Sequence, residues 1–280
     1  MHDQAKEIAK KSKSSFYYAF NLLPALQRDA MNTVYAFCRQ TDDIIDEGVE
    51  NDDIKYDRLR KWRVELEKSL HGRSDYLLLN KLSKIISQFN IPLEPFFELI
   101  KGVEMDLQIK RYWSFDELTQ YCYRVASTVG LMCIEIFGYK YESTRQYAIN
   151  LGLALQLTNI LRDVKVDAAN GRIYLPQQDL KKFDYSENEL LTNTYNDNFV
   201  SLMSYEADKA KDYFIKATRS LEFEDKRPMF AARAMQHIYF DLLKRLHEKN
   251  YNVFNEKISV PTSKKLFISF GVWAKYGLVY

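Results

Sequence analysis

Leu151-Gly-Leu-Ala-Leu-Gln-Leu-Thr-Asn-Ile-Leu-Arg-Asp-Val-Lys-Val-Asp167 begins as an apolar helix and ends with Asn159, Asp163 and Asp167 at successive four-residue steps. Residues four apart on an α-helix are turned by only about 40° and lie about 6 Å apart, so the three oxygen donors share one edge that suits a hard cation. Leu151 and Leu155 precede them on the same winding row, so the row changes from apolar to oxygen-bearing along its length. A ligand with a charged end and an apolar body has that shape.

The surrounding 280 residues contain only 9 Gly and 6 Pro and are 46% hydrophobic. Sandwiches and doubly wound sheets consume turn residues, so this composition predicts an all-α chain with a sizeable core. Forty basic and 38 acidic residues give a net charge of +2 without a basic block, which argues against nucleic acid as a partner. Three cysteines, Cys38, Cys122 and Cys133, form no CxxC pair, and the four histidines lack metal-ligand spacing. Reduced thiols and a cytoplasmic location are expected.

The first fifteen residues lack the apolar core of a signal peptide, and no run of about 18 apolar residues suggests a membrane span. Pro261 to Tyr280 mix lysines with Phe267, Phe270, Trp273 and Tyr276. Two readings fit: a final helix packed on the core, which we favour from sequence, or a segment in peripheral contact with a membrane. Periodicity and breakers predict helices near 3–11, from Pro24 to about Glu47, and at 54–70, 75–89, 93–108, 116–138, 142–168, 186–192, 195–221 and 227–249. No repeat, linker or composition shift divides the chain, so residues 1–280 are expected to form a single domain. Nothing in the pattern specifies an oligomeric state.

A second acid row lies in Tyr35-Ala-Phe-Cys-Arg-Gln-Thr-Asp-Asp-Ile-Ile-Asp46. Tyr35, Arg39, Asp42 or Asp43, and Asp46 follow three- and four-residue steps with the acids at the helix C-terminus. There they oppose the helix dipole, at a cost of about 0.3–1 kcal/mol each, and repel one another. A single such cluster reads equally well as a solvated acidic face. Two rows, each ending an apolar helix and each carrying an arginine, Arg39 or Arg162, favour a pair that faces across a ligand. Mg²⁺ takes one or two carboxylates together with water and substrate phosphate, so several Mg²⁺ ions bridging a diphosphate would satisfy both rows.

Four blocks together resemble the squalene/phytoene synthase family: Ser15 to Pro24, Tyr35 to Asp46, Tyr121 to Gly130, and Gln156 to Asp163 followed by Gly171-Arg-Ile-Tyr-Leu-Pro176. The resemblance runs from about Ser12 to residue 250. In Phe16-Tyr-Tyr, Glu104-Met-Asp-Leu107 and Arg124-Val-Ala-Ser127 the chain looks most similar to the bacterial hopanoid-associated presqualene diphosphate synthases.

The resemblance implies a single-domain isoprenoid synthase helical bundle with a central cavity, in which two isoprenoid diphosphates condense head to head. Carried over by position, Asp42, Asp43 and Asp46 would bind Mg²⁺ opposite Asn159, Asp163 and Asp167. Arg39 and Arg162 would hold diphosphate oxygens, with Lys13 and Ser15 assisting, and Tyr35, Tyr121 and Gln156 would sit at the reacting centre.

The tail pocket is expected from Phe16, Phe20, Val125, Ala126, Val129, Gly130, Leu151 and Leu155. Close helix packing through the small residues is the competing reading, and Tyr239 fits either the cavity or an ordinary core position. Lys165, where the family often has an acid, is expected to weaken metal binding.

For the product, presqualene diphosphate from two farnesyl diphosphates, without NADPH, is the first expectation. Phytoene from two geranylgeranyl diphosphates and a complete NADPH-dependent squalene synthase are the alternatives. A terpene cyclase and a non-catalytic helical module are the readings from other classes.

Overall fold

The structure, a computed structural model, describes residues 19–46 and 51–278. The helix expected near 3–11, together with Lys13, Ser15 and Phe16, lies outside the described residues. The chain runs through α1 (Ala25–Asp46), α2 (Asp52–Ser69), α3 (Leu77–Phe89), α4 (Glu94–Gln108) and α5 (Phe115–Cys122). After a π-helical turn, Tyr123–Ser127, come α6 (Thr128–Phe137) and the long α7 (Ser143–Ala169). Two short helices, α8 (Gln177–Lys182) and α9 (Glu187–Leu191), lead to α10 (Asp197–Ser220), α11 (Phe230–Glu248) and α12 (Thr262–Trp273). The fold is all-α, and among the described residues the one β-type pairing is an isolated bridge between Arg111 and Ile173.

Local chemistry sets these boundaries. The side chains of Asn51, Ser114 and Asn196 accept bonds from the backbone N–H groups of Ile54, Glu117 and Phe199, capping α2, α5 and α10. Ser186 and Glu189 form a reciprocal capping box at α9. Gly171, with φ of 78°, ends the turn after α7 in the left-handed region, where its missing Cβ removes the strain. The six-residue α8 falls outside the helices expected from periodicity, because it is too short to display a period.

Residues 116–138, read as one helix, contain the π-helical turn instead. Other helices approach it closely on both sides. A Cβ on Gly152 of α7 would lie 2.5 Å from the Ser127 Cα, and one on Gly102 of α4 would lie 2.7 Å from the Arg124 Cβ. The segment is held between two glycines, and the Ser127 hydroxyl donates to the Ile149 carbonyl at 2.8 Å. Val125 and Ala126 from this turn, with Val129 and Gly130 one helical turn on, line one cavity wall.

Buried side chains from α1 to α12 join one apolar core that includes Phe37, Phe96, Leu99, Leu161, Phe199 and Leu246. Asp225 accepts from the backbone N–H groups of Lys140 and Tyr141 and from the Thr144 hydroxyl, fixing the start of α7. Among the described residues, no helix is long and apolar enough to cross a membrane.

Candidate active site

α1 and α7 wall a cavity of about 280 Å³, and both change character in the same direction. Along α1 the lining residues are Met31, Val34, Tyr35, Cys38, Arg39 and Asp42; along α7 they are Tyr147, Ala148, Leu151, Gly152, Leu155, Gln156 and Asn159. Met31 to Asp42 and Ala148 to Asn159 each span eleven residues, or about 16 Å of helix. Each wall therefore starts apolar and finishes on an oxygen donor.

The π turn and α6 contribute Val125, Ala126, Val129, Gly130, Cys133 and Phe137; Phe20 and, from α11, Met235 and Tyr239 close the sides. Burial pushes the thiols of Cys38 and Cys133 up, the latter to about 12, so they serve as apolar wall. Gly130 meets both readings of the small residues, since it lines the cavity and a Cβ there would lie 2.8 Å from the Ala148 carbonyl oxygen.

The remaining acids continue beyond the cavity's polar end. Burial, followed by repulsion from Asp46, pushes the Asp42 carboxyl up to about 7. Burial and then Asp163 push Asp167 up to about 7 as well. Three arginines answer this charge. Arg39 contacts Asp43 at 2.6 Å, Arg162 grips Asp163 through both nitrogens, and Arg172 reaches Asp46 at 3.2 Å. Burial works against the Arg162 charge, but Asp163 and Tyr239 more than offset it.

Tyr121, expected at the reacting centre, is placed differently. It is buried at 4% exposure, outside the cavity lining, and donates its hydroxyl to Asp106 at 2.9 Å. Tyr174 donates to the other Asp106 oxygen at 2.7 Å, and the two tyrosine rings stack with centroids 5.2 Å apart. Asp106 is itself close enough to raise Asp42 and Asp167, so this carboxylate lies between the two rows. Burial raises its own pKa, while Tyr174, Arg172 and Tyr121 oppose that rise.

Asp106, Arg172 and Tyr174 take roles at the site that the motifs Glu104-Met-Asp-Leu107 and Gly171-Arg-Ile-Tyr174 do not announce by themselves. A carboxylate on an otherwise apolar face of α4 was the available signal. Lys165 does not stand beside Asp167 as a competing charge: its ammonium donates to the Phe254 carbonyl at 2.5 Å. Its neighbour Val166 is 58% exposed, so neither faces the acid row.

The donor set fits hard divalent cations in one respect and limits them in another. Carboxylates raised by burial and then by mutual repulsion, and a buried Asn159 Oδ1 without a hydrogen-bond partner, invite cations. Among the described residues, however, no three acids, histidines or cysteines converge as a ready-made metal cage. That suits ions held by one or two carboxylates each, with the rest of the shell supplied by water and an anionic ligand.

The comparisons agree with this architecture. The squalene/phytoene synthase family model matches residues 9–264. The 15-cis-phytoene synthase of Synechococcus elongatus is 34% identical over 277 residues, covering 95% of this chain and 90% of that protein. The Synechocystis enzyme of the same name is 35% identical over 286 residues, covering 98% and 85%. Among solved structures, a dehydrosqualene synthase in complex with a ligand superposes with a TM-score of 0.86 at 29% identity, covering 99% of this chain and 96% of that one. Squalene synthase HpnC from Alicyclobacillus acidocaldarius gives 0.78 at 25% identity, covering 89% and 95%. With the match extending over nearly the whole helical bundle, the chain belongs to the squalene/phytoene synthase family and is a prenyltransferase.

Proposed function

We propose that the protein condenses two C20 isoprenoid diphosphates, geranylgeranyl diphosphate, head to head to phytoene. The observation that carries the reaction type is the shared direction of α1 and α7: an apolar chain can lie between Met31 and Ala148 at one end while its diphosphate meets Asp42 and Asn159 at the other. The preference for C20 rests on the phytoene synthases at 34% and 35% identity, which outweigh our first expectation of presqualene diphosphate. Condensation of two C15 units is the second reading, favoured by the likeness to a dehydrosqualene synthase at a TM-score of 0.86.

In this reading Asp42, Asp46, Asn159, Asp163 and Asp167 would hold Mg²⁺ together with diphosphate oxygens. Bound Mg²⁺ supplies Lewis-acid stabilisation of the leaving diphosphate. Arg39 and Arg162 exchange part of their grip on Asp43 and Asp163 for diphosphate oxygens as charge develops there. Leu151, Leu155, Val125 and Val129 exclude water from the ionised chain, which would otherwise quench it. Tyr35 and Tyr239 present ring faces and hydroxyls beside the cation without a strong base. Asp106 keeps the Tyr121 and Tyr174 hydroxyls in place behind that surface. Peripheral contact with a membrane belongs to the same reading, because the product is apolar and each substrate carries a long apolar tail.

The test is incubation of purified protein with Mg²⁺ and either geranylgeranyl or farnesyl diphosphate, with and without NADPH, followed by mass spectrometry. A C40 hydrocarbon from the C20 substrate is expected. A C30 product only, from farnesyl diphosphate, would select the second reading. Release of a cyclic C15 or C20 hydrocarbon, or no Mg²⁺-dependent turnover of either substrate, would overturn both.

A further inference from the structure

The final helix, α12, packs Ser269 and Val272 inward and turns an apolar ridge outward. Leu266, Phe267 and Phe270 are 51%, 79% and 58% exposed, at helical steps that place them on one face. The Phe270 ring lies 5.6 Å from that of Trp273 one turn further on. The final helix packs on the core as expected, yet a folded chain does not gain by also exposing two phenylalanines and a leucine to water.

What flanks the ridge indicates its partner. Between α11 and α12 runs a groove of about 490 Å³ whose cations include Arg233, Lys244, Lys264 and Lys275, against the single carboxylate of Asp241. That carboxylate is already occupied, by Lys264 at 2.5 Å and Arg245 at 2.9 Å. Lys244 lies over the Phe240 ring at 5.0 Å and Arg233 over the Tyr276 ring at 4.0 Å, so these two cations stand beside aromatic surface. Burial, and then the charges of Arg233 and Lys275, hold the His237 imidazole below its ordinary pKa, as expected in a positive field. An apolar ridge bordered by cations, with a tryptophan at its end, matches a surface of acyl chains below and anionic headgroups above.

We propose that α12 docks the enzyme onto an anionic lipid bilayer, with Leu266, Phe267 and Phe270 entering the acyl region and Lys244 and Lys275 facing headgroup phosphates. The outer face of α11 lines this groove, while its Ala231, Ala232 and Met235 line the cavity. Docking therefore brings the cavity within one helix of the bilayer. That advantage rests on the isoprenoid reading of the cavity; binding itself does not.

The full-length chain, without substrate, is sedimented with phosphatidylcholine vesicles prepared with and without phosphatidylglycerol. Binding that needs phosphatidylglycerol and weakens with added salt is expected. The double variant Phe267→Ser/Phe270→Ser should lose at least about tenfold in partitioning. Lys244→Glu/Lys275→Glu should fall to the level seen on phosphatidylcholine alone. Both variants carry surface substitutions, and unchanged circular dichroism and thermal midpoints certify their fold. Failure of the wild type to bind phosphatidylglycerol vesicles, or equal binding by the serine variant, overturns the proposal. So does a wild-type dimer that the serine variant dissociates, since that assigns the ridge to a second copy. Because no substrate is present, a failed docking result leaves the proposed reaction standing.

Discussion

The guanidinium of Arg172, in the turn after α7, reaches the carboxylate of Asp46 at the end of α1 across 3.2 Å and 126 residues of chain. It ties the two acid rows together and also offsets charge on Asp106 and Asp167. Asp46 is 47% exposed, so water screens the pair and its worth to stability is about 0–1 kcal/mol. Arg172→Gln should therefore change the thermal midpoint little while lowering turnover at least about tenfold, a loss of roughly 1.4 kcal/mol in transition-state stabilisation. Calorimetry beside an Mg²⁺-dependent rate assay separates the two, and a large midpoint loss with proportionate activity would refute the assignment.

Asp106 accepts from two buried tyrosines, and Asp106→Ala would leave their hydroxyls only the 3.3 Å bond from Tyr121 to Tyr174. Each unsatisfied buried group costs about 1–3 kcal/mol, so a loss of roughly 2–5 kcal/mol in denaturant unfolding is expected. Tyr121→Phe removes one donor and leaves a carboxylate that Tyr174 still serves, which should cost only about 1 kcal/mol. Since Tyr121 does not line the cavity, KM for the isoprenoid should hold in Tyr121→Phe. An unchanged kcat as well would show that its hydroxyl has no part in the reaction.

Phe20 is 4% exposed and lines the cavity, so its ring limits the room for an isoprenoid tail. Phe20→Ala opens space in that wall, and the ratio of kcat/KM for C20 over C15 substrate should rise. The stability cost is about 3–5 kcal/mol before any collapse of the site. A competition assay with both diphosphates reads the ratio directly; a fall would place Phe20 away from the tail.

Away from the site, Lys209 contacts Asp179 at 2.7 Å and Glu206 at 2.9 Å, leaving two buried carboxylates to one ammonium. Burial pushes Glu206 up to about 7, with Lys209 opposing. An acid whose folded pKa is raised binds its proton more tightly in the folded state, so stability falls as pH rises from about 4.3 towards 7. Glu206→Gln removes that loss. Relative to wild type it should gain roughly 1–2 kcal/mol between pH 5 and pH 8, measured by urea titration at each pH. A gain independent of pH would assign the effect to packing instead.

Much of this protein was legible in its local sequence. The boundaries of α1, α4, α7 and α10 follow from periodicity, Pro24, Pro92 and capping residues, because a 3.6-residue repeat and a cap are each set within a few residues. Asn159, Asp163 and Asp167 share an edge in any helix. The order from Leu151 to Asp167, and from Tyr35 to Asp46, likewise carries its apolar-to-acid polarity wherever the helix lies.

Tertiary structure decided how those rows are used. Burial and Coulomb energy depend on distances between residues far apart in sequence, so no local pattern could place Asp106 between the rows or Arg172 upon Asp46. The same holds for Tyr121, whose hydroxyl turns to Asp106, and for the π turn, which Gly152 and Gly102 let other helices approach closely. Whether Phe267 meets core or solvent depends on which face of α12 contacts α11. The sequence alone determined a helical chain with two polar-ended rows; packing decided that the rows share one cavity and that its last helix faces outward with its phenylalanines bare.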